Sequence, residues 1–171
     1  MADFDKAIAV LLSDEGSVYI PNDHGRGPSK WGITWLTAQE IEPEWSATTI
    51  ESLTRDQACD FYQKWAWQGA HIGLIRDQEL ATKLLDLGVN IGLGKAIEFL
   101  QRGLGVACDG ILGPLTASAA NLAEPNFVIA AMITAGRAYY DQIVAHDRLQ
   151  QKNYPGWIAR LERRYPDGEA A

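Results

Sequence analysis

The apolar residues of this chain recur mainly at the spacing of amphipathic helices. Between Phe4 and Leu12 they return every three or four residues, Asp3 stands at the position of a helix N-cap, and Gly16 stands where a helix would end. The same spacing, with capping residues and Pro or Gly breaks, predicts further helices. These cover about residues 37–42, 54–67, 77–91, 95–104, 115–122, 125–149 and 156 onward.

Strand-like patterns are confined to two short segments beside one loop. Residues at about 17–20 and 32–34 are expected to form a small β-hairpin, and the run between them is rich in Gly, Pro, Asn and Asp. The sequence therefore predicts a mainly α fold. Gly92 and Gly94 interrupt the helical pattern without a polar linker, so we expect two packed lobes that share a core, residues 1–91 and 92–171.

Composition and charge narrow the class of protein and of partner. Of the 171 residues, 47% are hydrophobic and 22% are charged, which is enough for a buried core. No apolar run approaches the roughly 20 residues of a membrane span, so we expect no stable membrane insertion. The net charge of −7 disfavours nucleic acid as a partner. The histidines and cysteines lack metal-ligand spacing, so we expect no metal site and no cofactor.

Two carboxylates and a hydroxyl lie close together in the sequence around the loop. Glu15 continues the apolar face of the first helix, and a carboxylic acid that is partly removed from water holds its proton more readily. Asp23 lies in the loop, and Ser29 follows it by six residues. A poorly solvated acid beside a solvated carboxylate is the arrangement that glycoside hydrolysis requires. Each residue alone also has a structural interpretation, as a surface glutamate, a turn aspartate or a loop hydroxyl.

The order of these residues resembles a family pattern of Glu-Gly-Gly-Tyr, Asn-Asp, a Gly pair, Thr, and an aromatic residue before Gly-Ile-Thr. The matching positions are Glu15-Gly16, Tyr19 (one place late), Asn22-Asp23, Gly27, Ser29 and Trp31-Gly32-Ile33-Thr34. Similarity continues at residues 87–92, 94–102, 109–116 and 153–160. The chain thus resembles the glycoside hydrolase family 108 lysozymes, which are phage and prophage muramidases with a carboxy-terminal peptidoglycan-binding module.

The resemblance implies a lysozyme-like two-lobed helical fold with a small hairpin or loop at the active site. The implied protein is an endolysin, a monomeric peptidoglycan hydrolase that cleaves the β-1,4 bond between N-acetylmuramic acid and N-acetylglucosamine. Residues 1–91 would be its catalytic lobe, and residues 92–171 a lobe of the peptidoglycan-binding type. Glu15 would be the general acid, Asp23 a base toward water or a stabiliser of positive charge, and Ser29 a hydroxyl that helps to hold the water. The implied substrate-binding residues are Tyr19, Arg26, Trp31 and Asn90.

Three residues depart from the family pattern, namely Ser17, Arg26 and Ser29. Ser29 keeps the hydroxyl of the usual threonine. Arg26 replaces one glycine of the pair, and it would either stabilise the Asp23 carboxylate or bind a carboxylate of the substrate. These departures leave two alternatives beside the lysozyme: a catalytically decayed wall-binding or assembly protein, and a chitinase-like glycosidase.

Two further expectations concern Asn90 and the location of the protein. Asn90 points toward a packed face of its predicted helix, where it either makes a structural hydrogen bond or lines the cleft. The amino terminus lacks the pattern of a signal peptide, which predicts synthesis in the cytoplasm. Action on the cell wall would then require a phage holin or another export route.

Overall fold

Helices account for most of the structure, a computed structural model that describes residues 1–23 and 25–166. The α-helices are α1 (Phe4–Glu15), α2 (Trp35–Ala38), α3 (Ala47–Ser52), α4 (Arg55–Tyr62), α5 (Gln78–Ile91), α6 (Leu93–Leu104), α7 (Pro114–Leu122), α8 (Pro125–His146) and α9 (Tyr154–Glu162). A π-helix covers Gln63–Gln68, and 3-10 turns cover Ile72–Leu74 and Arg148–Lys152. The mainly α fold predicted from the sequence is confirmed.

Helix α5 lies at the centre of the fold. Every residue from Leu80 to Gly88 is buried, because α1 packs on one side of α5 and α6 on another. Helix α8 packs along α6, and α9 packs on α8. One continuous apolar cluster therefore runs from Ala7 in α1 to Leu161 in α9 and joins the two regions that the sequence predicts as lobes. The last five residues of the predicted second lobe, 167–171, lie outside the described part of the chain.

The small hairpin is present, but its strands differ from the predicted pair. Strand β1 (Ser29–Lys30) pairs antiparallel with β2 (Ile33–Thr34), with Ser29 opposite Thr34. The predicted strand at residues 17–20 is wrong, since only Ile20 pairs, as a single bridge to Ser29 with N–O distances of 2.8 and 2.9 Å. Ser17 and Val18 are exposed and have no neighbouring strand among the described residues.

The predicted helix at residues 54–67 changes type after Tyr62. The turns from Gln63 to Gln68 are π-helical, and the Gly69 N–H donates to the Lys64 carbonyl at 2.9 Å, five residues back. This wider turn lets two tryptophans pack in different directions. Trp65 stacks on Phe61 with ring centroids 5.8 Å apart, and Trp67 meets Phe4 in α1 at 5.4 Å.

Several helix boundaries also differ from the predicted ones. Helix α2 begins at Trp35, because Thr34 caps it through the Thr37 N–H, and α3 was not predicted although Ser46 forms a capping box with Thr49. Helix α8 ends at His146, and α9 begins at Tyr154. No helix in residues 1–23 and 25–166 combines the length and the apolar character needed to cross a membrane.

Candidate active site

Glu15 is the last residue of α1, and the local sequence holds it there. Gly16 adopts a positive φ of 66°, and its N–H donates to the Leu12 carbonyl at 3.2 Å, which ends the helix directly after Glu15. Gly32 then brings the hairpin backbone against the Glu15 side chain. A Cβ at Gly32 would lie 2.8 Å from Glu15 Cγ and 2.9 Å from the Tyr62 hydroxyl, so glycine alone permits this approach. The Glu15 side chain is left only 18% exposed.

The Glu15 carboxylate is paired with Arg160 of α9. The guanidinium Nη2 lies 2.5 Å from Glu15 Oε1. Arg160 is also paired with Asp86 of α5, whose Oδ1 accepts from Nε at 2.9 Å and whose side chain is only 1% exposed. Burial lowers the pKa of the Arg160 guanidinium, but Asp86 and Glu15 outweigh this effect and hold the pKa above its usual value. The arginine therefore stays charged between two carboxylates.

Lys83 of α5 fixes the end of the helix that carries Arg160. It is fully buried, and its ammonium Nζ donates to the Arg163 carbonyl at 2.5 Å, just beyond the last residue of α9. A cation at the carboxyl end of a helix satisfies carbonyl groups that have no partner within the helix. Burial lowers the pKa of Lys83 to about 8, partly opposed by the Asp86 and Glu79 carboxylates.

A cleft of about 550 Å³ opens beside these groups, and its wall combines residues from both ends of the chain. Of the residues predicted from the sequence, the structure brings four together in this wall, namely Glu15, Asp23, Arg26 and Asn90. Gly32 and Thr34 of the hairpin, and Asn153, Trp157 and Arg160 of the carboxy-terminal region, complete much of the lining. The volume lies within the range of roughly 300–1,000 Å³ that ligand sites occupy.

Asp23 is held in the cleft by a tight turn of its own loop. Its N–H donates to the Gly27 carbonyl at 2.8 Å, and its carbonyl accepts from the Arg26 N–H at 2.9 Å. The Asn22 side chain accepts from the Gly25 N–H at 3.0 Å, a typical Asx-type turn contact. These bonds fix the loop backbone, so that Asp23 and Arg26 both face the cleft that contains Glu15.

Asn90 is both hydrogen-bonded and in the cleft wall. Its Nδ2 donates to the Tyr140 hydroxyl at 2.9 Å, and Tyr140 stacks on Trp157 with ring centroids 5.1 Å apart and planes 19° apart. Burial, with a smaller effect from neighbouring groups, raises the pKa of Tyr140 to about 12. The phenol therefore stays neutral and accepts the bond from Asn90, which orients the amide beside the cleft.

Three predicted site residues lie outside the lining of this cleft. Ser29 is buried within the hairpin, only 3% exposed. Trp31 packs against the core; its indole N–H donates to the Leu53 carbonyl at 3.2 Å, and its own carbonyl accepts from Tyr62. Tyr19 is half-buried against the same core. Thr34, which was not predicted, lines the cleft, and its hydroxyl bonds to the Thr37 hydroxyl at 2.9 Å.

Arg160, Asp86 and Trp157 were not predicted from the sequence as site residues. A signal existed for Asp86, because a carboxylate inside the apolar run of α5 must find a partner when it is buried. A signal also existed for Trp157 and Arg160, because both lie in the segment 153–160 that matched the family pattern. Their position beside Glu15 depends on the packing of α9 on the rest of the fold.

Comparisons with known proteins find family and fold similarities for this chain. Residues 8–92 match the family model described as Glycosyl hydrolase 108, and residues 95–162 match the one described as Predicted Peptidoglycan domain. Among solved structures, that of Brucella abortus SagA is similar over 92% of this chain and 90% of that chain, with a TM-score of 0.77 and 25% sequence identity. A search of curated protein sequences finds no significant match.

The fold, the cleft and the two family matches define a glycoside hydrolase with a lysozyme-like fold that acts on peptidoglycan in the cell wall. Through its amino-terminal half the chain belongs to the glycosyl hydrolase 108 family, and a predicted peptidoglycan domain follows that half. The family, fold and enzyme class predicted from the sequence are confirmed.

Proposed function

We propose that this protein is a muramidase that hydrolyses the β-1,4 bond between N-acetylmuramic acid and N-acetylglucosamine. The observation that carries the proposal is the presence of Glu15 and Asp23 in the wall of one cleft, with Glu15 only 18% exposed and paired with Arg160, and Asp23 in the loop before the hairpin. Two carboxyl groups in different surroundings can act as proton donor and as ionised partner in glycoside hydrolysis.

In this proposal Glu15 donates its proton to the glycosidic oxygen as the bond from that oxygen to C1 breaks. Negative charge then develops on the carboxyl group beside the Arg160 guanidinium, which stabilises it. Asp86 has a different role, which concerns the protonated state of Glu15. When Glu15 carries a proton, Arg160 and Asp86 remain as a neutral ion pair, so Arg160 is not left as an unpaired buried charge. Arg160 and Asp86 are therefore positioning residues for the acid.

Asp23 is proposed as the ionised carboxylate that faces C1. It either accepts a proton from the attacking water or stabilises the positive charge that forms on the sugar ring. Ser29 remains our candidate for the hydroxyl that helps to hold this water, and Thr34 is a second candidate because its side chain lines the cleft. The Thr34 hydroxyl already bonds to Thr37, so a water would share it.

Substrate binding is proposed to involve Asn90, whose amide is oriented by Tyr140, and Trp157, whose ring lines the cleft and is stiffened by stacking on Tyr140. An aromatic face beside a sugar ring supplies apolar contact at little entropic cost. Tyr19 and Trp31, predicted from the sequence, support the hairpin and loop from the core side, and we propose that they act on binding through that support.

We also propose a division of labour between residues 1–91, with the catalytic carboxyl groups, and residues 92–171, with the wall-binding surface. We further propose that the protein acts as a monomer. Light scattering of the purified protein would test this. For export we propose a phage holin or an equivalent route, which cell fractionation with and without a co-expressed holin would test.

The activity is tested with purified peptidoglycan sacculi and with wild-type protein and Glu15→Gln. Released fragments are reduced with borohydride and analysed by mass spectrometry. Muramitol at the reduced ends, from wild type alone, is expected for a muramidase. Glucosaminitol would instead indicate cleavage of the other glycosidic bond and would contradict the proposal. Binding to sacculi without any new reducing end would point to a decayed wall-binding protein.

A further inference from the structure

Three adjoining cavities meet at Arg26. The cleft of about 550 Å³ adjoins a second cavity of about 460 Å³ and a third of about 220 Å³, and Arg26 lines all three. The second cavity runs over Thr37, Glu40 and Trp65, while the third runs toward Tyr139 and Ile143 on α8. The space around Arg26 therefore extends in three directions, with a cationic residue where the cavities adjoin.

The Arg26 guanidinium is available for a ligand. The side chain is exposed, and among the described residues it makes no hydrogen bond or ion pair; only its backbone groups are engaged, with Asp23 and Leu36. Within the described residues that line the three cavities, the other basic residue is Arg160, whose charge is already shared by Glu15 and Asp86. Among the described residues that line these cavities, Arg26 is therefore the cation whose side chain has no protein partner.

The three adjoining cavities fit the branched covalent structure of peptidoglycan. A strand of this polymer is linear, but each muramic acid bears a lactyl group from which a peptide stem departs, and the stem carries carboxylates. When the stem has been removed, the lactyl group itself ends in a carboxylate. A polymer of N-acetylglucosamine alone has neither the branch nor the charge. Arginine suits such a target because its planar guanidinium binds a carboxylate through two parallel hydrogen bonds.

We propose that Arg26 binds a carboxylate carried by the muramic acid unit, on its lactyl group or its peptide stem, and thereby selects peptidoglycan over uncharged glycans. This inference rests on the proposed muramidase function. The protein has a net charge of −7 and as a whole repels an anionic wall. A local attraction between Arg26 and a carboxylate of the wall therefore opposes this repulsion. The contact is exposed, so added salt weakens it.

The test compares wild type with Arg26→Gln, which removes the charge, and Arg26→Lys, which keeps it. Arg102→Gln is the matched control, because Arg102 is an exposed arginine of α6 outside the three cavities. Rates are measured on intact sacculi, on sacculi stripped of stems by an amidase, and on N-acetylglucosamine oligomers. Arg26→Gln is expected to lower kcat/KM on a carboxylate-bearing substrate about 10-fold, chiefly through KM, with no loss on the oligomers.

The three substrates also identify the source of the carboxylate. A loss on intact sacculi alone assigns it to the peptide stem, and a loss on stripped strands assigns it to the lactyl group. Substantial retention of activity by Arg26→Lys supports recognition of charge. Equal losses on all substrates, no loss on either sacculus preparation, or the same loss in Arg102→Gln would overturn the inference.

A binding measurement tests the role of Arg26 separately from the proposed hydrolytic activity. In the Glu15→Gln background, binding to intact and stripped sacculi is measured by sedimentation with and without Arg26→Gln. Weaker binding of the double variant, with the difference reduced by added salt, is expected even if wild type releases no fragments. An inactive wild type would remove the muramidase proposal, whereas equal binding by the two proteins would remove the role of Arg26.

Discussion

Arg160 and Glu15 are 145 positions apart in the chain, yet the Arg160 Nη2 atom lies 2.5 Å from Glu15 Oε1. This contact joins the last of the described helices to the first at the wall of the proposed catalytic cleft. A neighbouring ion pair between Arg163 and Asp14 repeats the connection on the outside of the same junction. The orientation of the proposed proton donor is thus set by a helix that lies at the other end of the sequence.

Replacement of Glu15 by glutamine is expected to reduce kcat on sacculi by about 10³-fold or more, because the amide cannot supply the proton that the leaving oxygen needs. The matched control is Asp14→Asn. It makes the same chemical change one residue earlier and also removes an ion pair with α9, but Asp14 does not line the cleft. Similar activity losses in the two variants would mean that the loss in Glu15→Gln comes from a weakened contact between α1 and α9 and not from the missing proton.

Asp23→Asn is expected to lower kcat by less than Glu15→Gln, by about 10- to 100-fold. The asparagine keeps the size of the side chain, so the turn through Gly27 and Arg26 should persist. Circular dichroism checks the fold, and release of reducing ends measures the rate. Full activity of this variant would remove Asp23 from the mechanism.

Asp86→Asn is expected to lower kcat on sacculi by about 10-fold with little change in KM, because a catalytic group that is held less firmly is less well positioned. The asparagine removes the charge that pairs with Arg160, whose guanidinium contacts Glu15. The measurement is kcat and KM separately, with Arg160→Lys as a second probe of the same junction and circular dichroism as the check on folding. An unchanged kcat in a folded Asp86→Asn variant would remove Asp86 from the positioning of Glu15.

The lowered pKa of Lys83 predicts that the free energy of unfolding depends on pH in the alkaline range. Its pKa is about 8 in the folded protein, below the value of about 10.4 in an unfolded chain. Between these values the unfolded state binds more protons, so the contribution of Lys83 to the free energy of unfolding rises with pH, by up to about 3 kcal/mol. Below pH 8 the ammonium is charged in both states, and burial of that charge opposes folding.

The test of this effect is the free energy of unfolding by urea at several pH values for wild type and Lys83→Met. The wild-type value is expected to rise relative to the variant from about pH 8 to about pH 10, because methionine cannot titrate. Lys152→Met, at an exposed lysine of the turn before α9, serves as the control. A constant difference between wild type and Lys83→Met across this range would contradict the prediction.

Gly32→Ala is expected to impair both stability and activity. The new Cβ would overlap Glu15 and the Tyr62 hydroxyl, and φ is +75°, a conformation that alanine adopts only with strain. Gly25→Ala is the control, since φ is +80° there but, its chain neighbours aside, no atom of the described residues lies within 4 Å of the added Cβ. A loss of activity in Gly32→Ala beyond that in Gly25→Ala isolates the contact with Glu15. Equal effects would mean that backbone strain alone is responsible.

Local signals explain which helices were predictable. Helices α1 and α5 combine an apolar spacing with an aspartate N-cap and a closing glycine, and their bounds follow from these features. The hairpin was less predictable, because strands of two residues carry too little pattern to define their partners. The π-helix after α4 depends on how Trp65 and Trp67 pack on distant residues, which no local propensity records.

The candidate site also contains residues that local sequence signals predict and residues that only long-range packing brings together. Glu15, Asp23 and Arg26 were found in the sequence because they lie within one loop and its preceding helix, so their spacing in the chain corresponds to nearness in space. Arg160 and Asp86 belong to helices that meet only in the folded protein, and their pairing with Glu15 required the structure. Asn90 was predicted to point toward a packed face, and its partner there, Tyr140, lies 50 positions away in the chain.

The pairing of α9 with α1 limits how this enzyme can be shortened or recombined. Sequence similarity divides the chain near residue 92, which invites the exchange of one carboxy-terminal half for another. A fragment cut at that boundary would retain Glu15 and Asp86 but leave two nearby carboxylates facing each other without the guanidinium between them. Any chimera would have to keep the α9 segment, so the transferable unit of this enzyme is discontinuous in sequence.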